Sequence, residues 1–155
     1  MEHQLLRPLD ARDQKRWLYV TKPIDALLSG SSNSAFPSHE ADALIGRFCK
    51  GFIVTATRES EGKADFKKLK NHDEAWVMIL NGPGEGWRLF GRFARKNVFV
   101  GLACWPRGQC VPWSMYQQRA VDMIADWQCR WTSPPLRSEK YSDFLSDPYF
   151  DKDEK

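Results

Sequence analysis

The sequence predicts an α+β fold: a small antiparallel sheet, made of one strand plus a three-stranded meander, packed against N-terminal helices and a C-terminal helix. Three observations carry that expectation. Between Glu74 and Arg107 the apolar runs Trp76–Leu80, Trp87–Phe93 and Val98–Trp105 are separated by breaks rich in glycine or charge, the pattern of antiparallel strands joined by turns. Ala41, Leu44, Ile45 and Phe48 fall at i, i+3, i+4 and i+7, one face of a helix. Ala120, Val121, Ile124, Trp127, Gln128 and Trp131 make a second stripe of helical period. At 155 residues, the chain is long enough to bury the core of one domain.

The elements follow in order. Asp10 is placed to cap a short helix through about Thr21, which Pro23 ends or redirects, and Ile24–Leu28 is a further apolar fragment. Ser29–Ser34 has the composition of a flexible loop. The clearest helix starts from an N-cap at Ser38 and stops at Gly51. Phe52–Thr57 is rich in β-branched residues and reads as a strand. Arg58–Asn71 crosses over, with one helical turn at Phe66–Leu69, and the meander follows. Asn81-Gly-Pro-Gly-Glu-Gly86 is a wide hairpin turn rather than a phosphate loop, because WRLF, which follows it, has strand character. The last helix runs from about Ser114 to Trp131 and ends at Pro134-Pro135. The predicted organisation is a single domain over residues 1–142 and an acidic tail over 143–155, with a helical extension and first strand over residues 1–60.

Charge narrows the partner class. Residues 143–155 hold five acids and two bases, a net of −3, which leaves +6 on the rest of a chain whose total is +3. Lys63–Arg107 holds nine bases and four acids, a net of +5, so positive charge gathers around the presumed sheet and favours an anionic partner such as RNA. Four cysteines without a CxxC pair and three histidines without ligand spacing argue against a disulfide framework and against a metal site. No cofactor loop is recognisable. No apolar run approaches the ~20 residues of a membrane helix, and the first residues lack the apolar segment of a secretion signal, so a cytoplasmic location is expected.

Arg88 and Arg92, four apart on one strand, are expected on one face of the sheet, with Trp105 and Arg107 on the next strand and its exit. Guanidinium forks suit phosphate oxygens, and aromatic faces stack unpaired bases. Cleavage of RNA also needs a group that activates the 2′-hydroxyl; Glu74, Glu85 and His72 are the nearby candidates. The competing expectation is a non-catalytic protein-interaction module, with Trp113, Trp127 and Trp131 forming an exposed patch.

Phe66-Lys-Lys-Leu69, Gly82-Pro-Gly84, Gly86-Trp-Arg-Leu-Phe-Gly91, the basic exit Trp105-Pro-Arg107 and Gln117-Gln118 on the last helix together resemble the RelE/HigB-like toxins over about residues 66–131. The resemblance implies a small α+β protein that binds RNA, acts on the ribosome as a messenger-RNA interferase and is masked by an antitoxin. It implies phosphate contact and charge stabilisation by Arg88, Arg92 and Arg107. Lys67, Lys68 and Lys70 would steer the backbone, Trp105 or Tyr116 would stack a base, and Gln117 would touch the RNA. The chain departs from the family in its first sixty residues, in the insertion Cys110–Ser114 and in lacking a secure counterpart of the family's C-terminal catalytic Tyr or Lys.

Overall fold

The computed structural model describes residues 4–6, 14–59, 61–130 and 133–153. The elements are β1 (Gln4–Leu6), β2 (Trp17–Val20), α1 (Lys22–Leu28), α2 (Ser38–Cys49), β3 (Val54–Thr57), β4 (Phe66–Lys68), β5 (Trp76–Leu80), β6 (Trp87–Arg95), β7 (Val98–Pro106), α3 (Trp113–Arg130), α4 (Tyr141–Phe144) and β8 (Tyr149–Asp151). A short 3-10 turn at Arg107–Gln109 joins β7 to α3. All eight strands lie in one sheet, in the order β1-β2-β7-β6-β5-β4-β3-β8.

The expected small antiparallel sheet is therefore overturned. Seven strands, β2 to β8, form a mixed and curled half-barrel, and β1 adds to one edge. The strands at 76–80, 87–95 and 98–106 do pair antiparallel, but as the centre of this larger sheet. Flanking them are parallel pairs that local sequence does not announce: β2 with β7, β3 with β4, and β3 with β8. Helices cover both faces. Leu18, Phe48, Phe66, Trp76, Met78, Phe93 and Phe99 pack with α1, α2 and α4 on one side. Val77, Ile79, Phe90 and Val100 pack with Tyr116, Ala120, Met123 and Trp127 of α3 on the other. Every residue of β5 is consequently buried, the pattern of a strand covered on two faces.

Three further expectations are corrected. Trp17–Val20 is a strand, not the end of a helix; its burial alternates with period two, as for a strand with a wetter face. The start of the supposed helix at Asp10 lies outside the described residues. Phe66–Leu69 contains a three-residue strand, not a helical turn, because β3 and β5 offer it hydrogen-bonding edges on both sides. The segment from Arg137 onward is not a loose tail. Tyr141, Phe144 and Leu145 are buried in the core, and β8 closes the sheet beside β3. Asp153 fastens that end: its carboxylate accepts hydrogen bonds from the Thr57 hydroxyl, the Arg58 backbone N–H and the Tyr141 hydroxyl, each at 2.7 Å.

The helices owe their ends to local chemistry. Pro23 occupies the first turn of α1, where a missing N–H costs nothing. Gly51, one residue past the C-cap of α2, adopts φ +78°, the left-handed conformation that favours glycine. In α3 the buried face is Tyr116, Ala120, Met123 and Trp127, and Val121 is left half-exposed. At Gly91 a Cβ would lie 2.0 Å from the Val100 carbonyl oxygen. The close approach occurs where Gly91 pairs with Gly101 and Leu102 is bulged out of register.

Candidate binding cleft

Arg88, Phe90 and Arg92 alternate along β6 and face α3, so the helix lies over the basic side of the strand. The two guanidinium groups are not on open surface. Arg88 is 4 % exposed and Arg92 1 %; a cation buried this deeply needs hydrogen-bonding partners, and each of the two finds a carboxylate. Arg88 Nε donates to Glu61 Oε1 at 2.8 Å, and Nη1 donates to the Trp87 carbonyl at 3.0 Å. Arg92 Nη2 lies 3.0 Å from Asp73 Oδ2 and also donates to the Asp73 carbonyl, with its guanidinium 5.6 Å from the centre of the Trp127 ring.

The two arginines then diverge in role. Arg92 is enclosed with Asp73, whose carboxyl is held below the usual carboxylate range chiefly by the hydrogen bond from Arg137, against the opposing effect of burial, and helped by Arg92. Arg88 instead forms the inner wall of a cleft of about 640 Å3 at the end of the sheet where the β5–β6 hairpin, the exit of β7 and the start of α3 meet. Four of the expected site residues converge there: Arg88, Arg107, Lys67 and Tyr116. Glu61, Glu85, Asn81, Cys110 and Trp113 also line it.

The geometry is layered. Glu61 Oε1 accepts from Arg88 and from the Tyr116 hydroxyl at 3.2 Å, forming a buried polar floor. Burial, reinforced by Glu61, drives the Tyr116 phenol well above its ordinary pKa, so it stays protonated as a donor. Burial also pushes the Cys110 thiol up to about 11, which leaves it a packing residue rather than a nucleophile. Trp113 stacks on Tyr116 with ring centres 5.1 Å apart and is 49 % exposed. Lys67 Nζ sits 5.2 Å from the Trp113 ring centre. Glu85 Oε2 accepts from the Gly108 N–H at 3.2 Å, and the Arg107 N–H donates to the Gly86 carbonyl at 2.7 Å, so the hairpin and the 3-10 turn are pinned together. Gly86 gives the floor its room: a Cβ there would lie 2.9 Å from Arg88 Nη1.

Three cationic and two acidic side chains line the cleft (Lys67, Arg88, Arg107 against Glu61, Glu85), a net of +1. Arg88 is committed to Glu61. Among the described residues, Lys67 and Arg107 have no carboxylate partner and remain available to a ligand. The result is a rim with two free cations beside a half-exposed indole, over an internally neutralised floor.

The other expected residues lie elsewhere. Lys68, on the opposite face of β4 from Lys67, is buried and pairs with Glu74 at 3.4 Å. Lys70 pairs with Glu59 at 2.6 Å. Trp105 lies under Arg119, whose guanidinium is 3.5 Å from its ring centre. Gln117 Nε2 is 3.4 Å from His72 Nε2. Glu74, His72 and Asp73 line a separate hollow of about 370 Å3 with Lys68 and Lys70. The expected tryptophan patch does not form from Trp113 and Trp127, since Trp127 is 2 % exposed in the core; Trp131 lies outside the described residues. Glu61 was missed because its segment shows no periodic pattern, and its partners are 27 and 55 residues away.

Among the described residues there is no cluster of three or more His, Cys, Asp or Glu side chains able to hold a metal ion. Likewise, no helix among them is long and apolar enough to cross a membrane. No family model, curated protein or solved structure matches the chain.

Proposed function

We propose that the cleft binds single-stranded RNA, with Arg107 and Lys67 holding phosphate and Trp113 stacking a base. The observation that carries this reading is the meeting, at one 640 Å3 opening, of two cations without a carboxylate partner among the described residues and a half-exposed indole. Grooves that track single strands combine those two features, cations for the backbone and aromatic faces for the bases. Arg88 acts beneath the ligand, orienting Glu61 through the 2.8 Å contact that neutralises the floor.

The more specific form of the proposal is an RNA-cleaving toxin of the RelE type, its cleft masked by an antitoxin. Cleavage requires a proton acceptor for the 2′-hydroxyl, and we assign that role to Glu61, the carboxylate between Arg88 and Tyr116. Substituting Glu61→Gln would then abolish cleavage and leave RNA affinity within a few-fold. Induced expression should arrest growth with loss of translation, and Glu61→Gln should relieve the arrest.

Binding is tested by anisotropy of labelled single-stranded RNA across a salt series. Affinity should fall with salt at a slope of about −0.7 per phosphate contact, and Arg107→Ala and Lys67→Ala should each flatten it by about one contact. Trp113→Ala should cost about 1–3 kcal/mol of binding regardless of base identity. Salt-independent binding, or affinity unchanged in both Arg107→Ala and Trp113→Ala, would overturn the proposal.

A further inference from the structure

A third concavity, of about 750 Å3, lies on a different part of the molecule, between the segment Gly51–Ile53 that enters β3 and the segment Ser146–Pro148 that enters β8. Its apolar content is at the surface: Phe52 is 55 % exposed and Ile53 53 %. Lys15, Arg47 and Lys50 line it with one acid, Asp147; Arg47 pairs with Asp65 at 3.4 Å, which leaves Lys15 and Lys50 against Asp147, a net of +1.

Beneath it lies a fourth positive charge of an unusual kind. Arg16 is fully buried, and among the described residues it has no carboxylate partner. Its guanidinium instead donates to four carbonyls. Nη1 reaches Phe48 at 3.3 Å and Phe52 at 2.8 Å; Nη2 reaches Ser146 at 2.8 Å and Pro148 at 2.9 Å. Two consequences follow. Both walls of the groove hang from one rigid planar fork, so the concavity exists before any ligand arrives and little ordering cost remains. The carbonyl dipoles engage the two Nη groups, while Nε has no hydrogen-bond partner among the described residues, and they do not cancel the net charge, so the groove carries positive potential from below as well as from its rim.

We propose that this groove is a docking site for an acidic peptide segment of a partner protein, which inserts an apolar or aromatic side chain beside Phe52 and Ile53. Its carboxylates would be met by Lys15, Lys50 and the field of Arg16. Charge complementarity selects the acidic flank, and the exposed apolar pair selects the anchor. A bilayer surface would instead be met by protruding apolar side chains, whereas this surface is concave. The proposal is independent of the RNA cleft, with which the groove shares no lining residue.

The test is selection of random short peptides displayed on phage against the immobilised full chain, followed by anisotropy titration of the enriched peptides. Enrichment of sequences that combine Asp or Glu with Trp, Phe or Leu is expected. Their affinity should drop at least about tenfold in Lys50→Glu and in Ile53→Asp. Arg107→Ala, in the other cleft, should bind them as the parent does. Melting curves of both groove variants should stay close to the parent's, because Ile53 is exposed and Lys50 half-buried at the surface. The proposal is overturned if no peptide is enriched, if enriched peptides lack acids, or if they bind both groove variants as tightly as the parent. It is equally overturned if phosphatidylserine-containing vesicles, and not peptides, retain the chain in a manner lost in Ile53→Asp.

Discussion

Replacing Arg88 by Met separates what this arginine does for the fold from what the cleft does for a ligand. Its side chain is 5 % exposed and that of Glu61 18 %, with 2.8 Å between Nε and Oε1. Removing one member of a buried pair costs about 3–5 kcal/mol, because the other charge is stranded. Glu61 is partly wet and keeps its hydrogen bond from Tyr116, which places the cost near the low end, about 3 kcal/mol. For a chain of this length that lowers the melting temperature by about 6–12 °C. The double variant Arg88→Met/Glu61→Leu leaves no charge unpaired and should recover about 1–2 kcal/mol relative to the sum of the single changes. Arg107→Ala, at an exposed position, should move stability by no more than about 0.5 kcal/mol while weakening RNA binding. Urea titration of the parent, Arg88→Met, Glu61→Leu, the double variant and Arg107→Ala measures the free energies, and thermal melts read the temperature shift. If Arg88→Met melts within about 2 °C of the parent, the ion pair is not holding the cleft floor and the reasoning fails.

Three other outcomes follow from the same structure. Burial alone would raise the Asp153 pKa, but hydrogen bonds from Thr57, Tyr141 and the Arg58 backbone outweigh it and hold the group below its unfolded value. The stabilisation is therefore present above the unfolded pKa of about 4 and is lost as pH falls through the lower folded one; Asp153→Asn should flatten the acid limb of a stability–pH curve, and an unchanged limb would refute the assignment. Alkylation of the native chain at neutral pH should modify Cys129 first, since Cys49 and Cys110 are buried and burial raises each thiol to about 11; peptide mass mapping that finds Cys110 labelled as fast as Cys129 would contradict this. Gly91→Ala would set a methyl against the Val100 carbonyl and should cost at least about 2 kcal/mol, as overpacking does, readable as a fall in the urea midpoint.

Local pattern revealed local structure. The strands at 76–80, 87–95 and 98–106 are visible in the sequence because glycine, proline or charge punctuates their apolar runs, and α2 and α3 because their apolar residues keep the helical period. What stayed hidden depends on contacts between distant residues. β4 is three residues long and exists only because β3 and β5 flank it. β2 has strand-like residues, Trp17-Leu-Tyr-Val20, but the charged stretch before it favoured a helical reading. β8 lies in a segment whose acidity resembles that of a solvated tail, and its partner strand begins 95 positions earlier.

The candidate site was half legible for a related reason. Residue type and spacing identified the cations, and Arg88, Lys67 and Arg107 do share a cleft with Tyr116. Exposure is not written in spacing. Arg92 has the same type, strand and face as Arg88, yet it is closed over by Trp127 and Asp73. Glu61, which decides how Arg88 behaves, comes from a crossover with no recognisable motif. Sequence thus supplied the chemical vocabulary of the cleft, and topology decided which members meet.

The four-carbonyl cradle of Arg16 bears on how the protein is born. Two of its acceptors come from Phe48 and Phe52, and the other two from Ser146 and Pro148, 130 and 132 residues beyond the arginine itself. A nascent chain therefore carries a guanidinium destined for the interior while some 130 further residues are added, with half its acceptors not yet made. Closure of this part of the fold waits on Ser146–Pro148, and a product truncated before them would betray its defect as an unquenched cation in the interior.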